Sequence, residues 1–112
     1  MKKVEAIIRT ERLDPVIDGL AEIGYPGVTI SEVRGHGKQK GITHRWRGTE
    51  YTVKFVPKVK VEVVVLDEDL HFTIDVLVRK SRTGTIGDGK VFVMDVEEAV
   101  RVRTGDSGIK AI

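Results

Sequence analysis

The stretch Asp67-Glu68-Asp69-Leu70-His71-Phe72-Thr73-Ile74-Asp75-Val76-Leu77-Val78-Arg79-Lys80-Ser81 decides the fold, because it carries two periods at once. Phe72, Ile74, Val76 and Val78 alternate, as in a strand with one buried face. Leu70, Ile74, Leu77, Val78 and Ser81 fit one face of a helix equally well. The three acids in front break the tie. Carboxylates are stabilised at the positive end of a helix dipole, so the stretch is read as a helix over 70–81. Just upstream, Val59 to Leu66 is the strongest strand signal in the chain: Val59, Val61, Val63 and Val65 share one face, and Lys60 and Glu62 begin the other. Downstream, Arg82 to Lys90 is a glycine-rich loop and Val91 to Val96 a strand, which completes a βαβ unit.

The first third of the chain shows the same order. In Lys3 to Arg9, Val4, Ala6 and Ile8 alternate with Ile7 behind them. Asp14-Pro15 has the form of a helix start, with Asp14 as N-cap and Pro15 at the first helical position. Leu13, Val16, Ile17, Leu20, Ala21 and Ile23 follow at helical spacing, and Gly24-Tyr25-Pro26-Gly27 ends the helix. Val28, Ile30 and Val33 form a second strand. Glu97 to Val100 reads as a turn or short helical piece, and Arg101-Val102-Arg103 as a last extended segment. Two βαβ units with both helices on one face of a sheet predict an α+β sandwich of ferredoxin-like type. Between the units, His36 to about Thr52 holds glycines and charges without sustained periodicity. A loop of that length in a small domain is commonly functional or disordered.

At 112 residues the chain is expected to be a single domain spanning 1–112, with 40% apolar and 32% charged residues. No uninterrupted apolar run exceeds four residues, as at Val63 to Leu66, and the start Met1-Lys2-Lys3-Val4-Glu5 lacks the apolar region of a signal peptide. A cytoplasmic location is therefore the expectation. The absence of cysteine excludes disulfides, thiolate zinc sites and cysteine nucleophiles. Net charge is only +2, but Arg34, Lys38, Lys40, Arg45, Arg47, Lys54, Lys58 and Lys60 face Glu50 alone across one segment, which suits an anion or an acidic partner.

Three pieces suit an anion. Gly84, Gly89 and Lys90 satisfy most of a P-loop, whose glycines turn backbone N–H groups toward phosphate oxygens. Two P-loop features are missing. Val91 stands where a magnesium-binding hydroxyl belongs, and the following segment is strand-like rather than helical. Asp88, inside the loop, fits a turn cap better than a catalytic base. Gly35-His36-Gly37-Lys38-Gln39-Lys40-Gly41 alternates glycine with cations, and Gln39 offers a carbonyl oxygen to a hard cation. Arg101 and Arg103, two apart in an extended segment, point the same way and can grip one polyphosphate. A plain glycine turn, a flexible hinge and a solvated arginine pair are the alternative readings of each. The three histidines, His36, His44 and His71, have no metal-ligand spacing.

The segments KKVEAIIR, RGHGKQKG, RGTEYTV, PKVKVEVVV, TGTIGDGKVFV and RVRTG…AI together resemble the PII family of nitrogen-regulatory signal proteins, essentially end to end. The resemblance implies a homotrimer of ferredoxin-like subunits with a nucleotide site between neighbours, where ATP and ADP compete. It implies nucleotide contacts from Gly37, Lys38, Gln39, Gly87, Asp88, Gly89 and Lys90, with Thr29, Val64, Arg101 and Arg103 closing over the ligand. It further implies that 2-oxoglutarate binds beside MgATP through Gln39, Lys58 and Gly87, with Gln39 and the effector completing the metal shell. The long loop, about 36–55, is then the partner-binding arm, 82–90 the phosphate loop, and 101–112 a C-terminal segment. Tyr51 matches a tyrosine that some members carry uridylylated or adenylylated, and Thr49 stands where others carry a phosphorylated serine. Arg47 matches an arginine that enters an ammonium-channel mouth, and Trp46 beside it suits an interface anchor.

Thr10-Glu11 departs from a proline-containing start before the first helix, and the tail Asp106-Ser107-Gly108-Ile109-Lys110 lacks a common acidic run. The implied function is a non-enzymatic sensor of nitrogen and energy status, acting on a target such as an ammonium transporter. A small ATPase built on Gly84 to Lys90 is one alternative, but it lacks a water-positioning acid. An RNA-binding ferredoxin-like module is another, but Val59 to Leu66 offers no aromatic for base stacking.

Overall fold

Valine alternating with charge builds the centre of the sheet. In the computed structural model, which describes residues 1–36, 42–53 and 55–112, the elements are β1 (Lys2–Arg9), α1 (Leu13–Glu22), β2 (Thr29–Gly35), β3 (Ile42–Trp46), β4 (Thr49–Val53), β5 (Val56–Val65), α2 (Leu70–Ser81) and β6 (Gly89–Asp95). The main sheet runs β2-β5-β1-β6, every neighbour antiparallel. This is the ferredoxin-like α+β sandwich. Val59, Val61, Val63 and Val65 of β5 and Val4, Ala6 and Ile8 of β1 turn to the inner face and pack on Val16, Leu20 and Leu77 of the two helices. Each fully buried valine, leucine or isoleucine side chain contributes roughly 1.5–3 kcal/mol.

The outer face carries the other parity. Lys3, Glu5, Ile7 and Arg9 of β1 stand opposite Val64, Glu62, Lys60 and Lys58 of β5. Lys3 pairs with Glu62 at 3.2 Å and Lys60 with Glu5 at 3.2 Å. A one-residue slip would bury these charges and expose the valines, so the pattern fixes the register.

The contested stretch is a helix, Leu70–Ser81, preceded by a 3₁₀ turn over Asp67–Asp69. Its buried residues are Thr73, Val76, Leu77 and Ser81. Thr73 belongs to neither apolar count; its hydroxyl donates to the Asp69 carbonyl at 2.8 Å, which lets it sit inside. Four expectations are corrected. The first helix does not start on an Asp14 cap: a 3₁₀ turn at Thr10–Arg12 leads into it, Arg12 is the N-cap, and Asp14 and Pro15 lie in its first turn. The segment after Gly35 is not patternless, since β3 and β4 form a separate hairpin. Glu97 to Ala99 is irregular chain rather than a turn or helical piece. Arg101 to Arg103 is not extended. Thr104-Gly105-Asp106 bends it back: the Gly105 N–H donates to the Arg101 carbonyl at 2.8 Å, the Arg101 N–H donates to the Asp106 carbonyl at 2.8 Å, and Val100 bridges Ser107. Gly105, at φ 73°, supplies the left-handed residue this turn requires.

Candidate functional site

The glycine-rich loop between α2 and β6 is organised by Asp88. Its carboxylate accepts the backbone N–H of Thr83 and of Gly84, each at 2.8 Å, the Thr83 hydroxyl, and Arg9 Nε at 3.0 Å. The Thr83 hydroxyl leads in holding the Asp88 carboxyl well below the usual carboxylate range, and the two backbone donors and Arg9 add to it against the cost of desolvation. Arg9 also donates to the Thr85 hydroxyl and the Ile86 carbonyl, each at 2.9 Å. One guanidinium thus ties the end of β1 to three points of the loop.

Lys58 reaches the loop from β5. Its stem crosses Gly35, where an added Cβ would come within 3.3 Å of Lys58 Cγ, and its ammonium donates to the Gly87 carbonyl at 2.6 Å. The residue is only 8% exposed. Burial lowers the Lys58 pKa; the Arg9 guanidinium, opposite it in register, pushes the same way, and Glu11 and Asp88 partly offset both. A desolvated cation of this kind attracts an anion more strongly than a hydrated surface lysine does.

Gly35, His36, Lys58, Gly87, Asp88, Gly89 and Lys90, with Ile7, Val56, Thr85, Ile86 and Phe92, border one cavity of about 490 Å³. It therefore joins Lys58 to Gly87, Asp88, Gly89 and Lys90, the phosphate-side residues expected from the sequence. A second cavity, of about 340 Å³, is bordered by Thr29 and Val64 together with Lys3, Tyr25, Glu62 and Ile112. Val64 and Lys58 share the outer face of β5 but stand six residues apart, about 20 Å along the strand. Arg101 and Arg103 border neither of these cavities; Arg101 pairs with Asp106 at 3.5 Å. The expected nucleotide-side residues among the described segments are thus divided between two separate cavities and the C-terminal turn rather than gathered in one. Gly37, Lys38 and Gln39 lie outside the described residues.

Arg47 and Gly48 form the two-residue turn of the β3–β4 hairpin, at φ 48° and 80°, between the pair Trp46 and Thr49. Positive φ at both turn residues matches the twist of the flanking strands. Tyr51 lies in β4 opposite His44.

The sequence reading did not single out Ile7, Val56 or Phe92 in the larger cavity's lining, nor Arg9, which braces the glycine loop. Arg9 was in view as the last residue of a strand, yet nothing in its neighbours along the chain signals a bond to residues nearly eighty positions away.

The sequence model of the family described as "Nitrogen regulatory protein P-II" matches residues 1–106. The chain belongs to this family. Among curated proteins it is 52% identical to the nitrogen regulatory protein P-II of Rhizobium meliloti, 53% to that of Microchaete diplosiphon, and 50% to nitrogen regulatory protein P-II 1 of Escherichia coli K12. Each alignment spans 112 residues and the full length of both chains. The matched region covers the hairpin and the cavity residues named above apart from Ile112. Among the described residues no helix is long and apolar enough to cross a membrane.

Proposed function

We propose that this single 1–112 domain is a non-enzymatic nitrogen and energy sensor that binds ATP or ADP and 2-oxoglutarate and passes their occupancy to an ammonium transporter or similar target through the 36–55 arm. The carrying observation is that Lys58, Lys90 and residues 85–89 of the glycine loop border one cavity at the root of that arm. Two cations and a glycine-lined wall suit the phosphates of a nucleotide and the carboxylates of an effector. Gln39 would hold Mg²⁺, whose charge lets two anions lie side by side. Asp88, with its oxygens engaged by Thr83, Gly84 and Arg9, is held as a structural acceptor, which supports a binding rather than a hydrolytic role.

The split between the two cavities supports a homotrimer in which Thr29, Val64, Arg101 and Arg103 of one chain close over the loop of its neighbour. The edge strand β6 presents exposed Phe92, Val93 and Met94, an apolar surface suited to a subunit contact. Arg47 at the hairpin tip, beside Trp46, would enter the transporter mouth, and Tyr51 is a modification point for a separate enzyme. A cytoplasmic protein that docks on a membrane transporter fits this reading.

Calorimetric titration of 2-oxoglutarate with Mg²⁺, in the presence of ATP, ADP or neither, tests the sensor. Binding is expected only with MgATP; equal binding in all three arms rejects the coupling. Replacing Arg47 with alanine should relieve transporter block in reconstituted vesicles without altering nucleotide affinity, and undiminished block would reject the docking role.

A further inference from the structure

His36 follows the last residue of β2, and Phe55 precedes the first residue of β5, so their rings stand at the two roots of the arm. The rings meet there, with centroids 5.7 Å apart and planes inclined at 58°. Aromatic pairs at this separation and tilt attract. His36 also borders the cavity that holds Lys58 and the glycine loop. Among the described residues, the charged groups that border the cavity with it are Lys58 from β5, Asp88 from the glycine loop and Lys90 from β6. Of these, Asp88 is occupied with its own loop and Lys58 with the Gly87 carbonyl.

We propose that His36 is a further oxyanion-contacting residue of this cavity, whose protonated imidazole grips a phosphate or carboxylate oxygen of the ligand and, through Phe55, couples that grip to both roots of the arm. The inference rests on the reading of the cavity as an anion site. Histidine is the side chain whose charge changes between about pH 5 and 8. An oxyanion arriving beside the imidazole favours its protonated form, so ligand and proton strengthen each other's binding by linkage. A charge-assisted hydrogen bond is about twice as strong as a neutral one, so the effect is measurable. Because Phe55 packs on the same ring, holding the imidazole toward the ligand also constrains the segment that leads back from the hairpin into β5.

The test is calorimetric titration of the whole protein with MgATP, and with 2-oxoglutarate at saturating MgATP, at about pH 6 and about pH 8.5. His36→Phe keeps a ring against Phe55 without a charge, and His36→Gln keeps a donor without a charge. Comparing variants at one pH cancels the titration of the ligand itself. Wild-type protein should tighten at least about fivefold more than either variant on going to the lower pH, for one of the two ligands. The ligand that shows the difference identifies the oxygen as phosphate or carboxylate. Trp46, the sole tryptophan, lies in β3, and its ligand-induced emission change at the lower pH should shrink in both variants. Thermal melting controls for folding, and His36→Gln carries the comparison if His36→Phe does not fold. Wild-type binding with the same pH dependence in both variants overturns the role of His36 alone. Wild-type protein that binds neither ligand at either pH overturns the reading of the cavity, and this inference with it.

Discussion

Gly89→Ala is expected to destabilise the protein by about 3 kcal/mol or more, or to prevent folding. A Cβ at this position would sit 1.7 Å from the carbonyl oxygen of Ile7 and 2.8 Å from its carbon. Both contacts are with backbone, so no rotamer change relieves them. Gly89 also has φ 106°, a conformation that side-chain-bearing residues rarely adopt. It opens β6 opposite Ile8, so relieving the clash means parting β6 from β1 where the glycine loop joins the sheet. Gly84, in the same loop, isolates the two causes. Its φ is 91°, but an added Cβ there meets nothing within 4 Å. Gly84→Ala should therefore cost only the backbone penalty, about 1–2 kcal/mol. Urea unfolding of the two variants and the parent, at one protein concentration, reads both values. A Gly89→Ala midpoint within error of that of Gly84→Ala would show that β6 is not seated as closely on β1 as the structure has it.

The contrast between these glycines bears on what the sequence discloses. G-x4-G-K is visible as a phosphate-suited pattern, but the pattern treats its glycines alike. One is needed for a turn, and the other for a turn and a close approach to a strand eighty residues earlier. The sheet itself was legible because Val59, Val61, Val63 and Val65 can face the core only in one register. The helix over 70–81 was legible because three acids outweighed a strand-like alternation. Other features depend on partners distant in sequence or on competing local preferences. The β3–β4 hairpin escaped notice because its turn is Arg47-Gly48 rather than the asparagine–glycine pair that usually marks such turns, and arginine seldom adopts positive φ. The alternation through Arg101 and Arg103 was overridden by the Thr104-Gly105-Asp106 turn immediately after it. The helix start was displaced because the chain enters α1 through a 3₁₀ turn, which leaves Asp14 inside the first turn rather than ahead of it. In the candidate site, the cations and glycines could be named from the sequence. Arg9 could not, since its role is to brace the loop from another strand.

Lys58→Met should weaken 2-oxoglutarate binding at saturating MgATP by about 30-fold or more, the usual loss when one partner of a desolvated charge pair is removed. Methionine retains most of the unbranched stem that crosses Gly35, so the packing there is kept while the ammonium group is removed. Folding stability should change little. The variant loses the hydrogen bond to the Gly87 carbonyl, a net contribution of about 1 kcal/mol, but it is also relieved of a cation held away from water beside Arg9. The Gly87 carbonyl sits in a half-exposed loop, where water can replace the ammonium. MgATP affinity should fall far less, because Lys90 and the loop backbone remain. Calorimetry with each ligand, set beside a urea titration, separates the possible outcomes. Selective loss of effector affinity in a stably folded variant is the result expected of a binding cation. A matching loss of effector and nucleotide affinity would mean that Lys58 acts by bracing the loop through Gly87. Unchanged effector affinity would remove the buried lysine, and with it the main electrostatic reason for placing a dianion in this cavity.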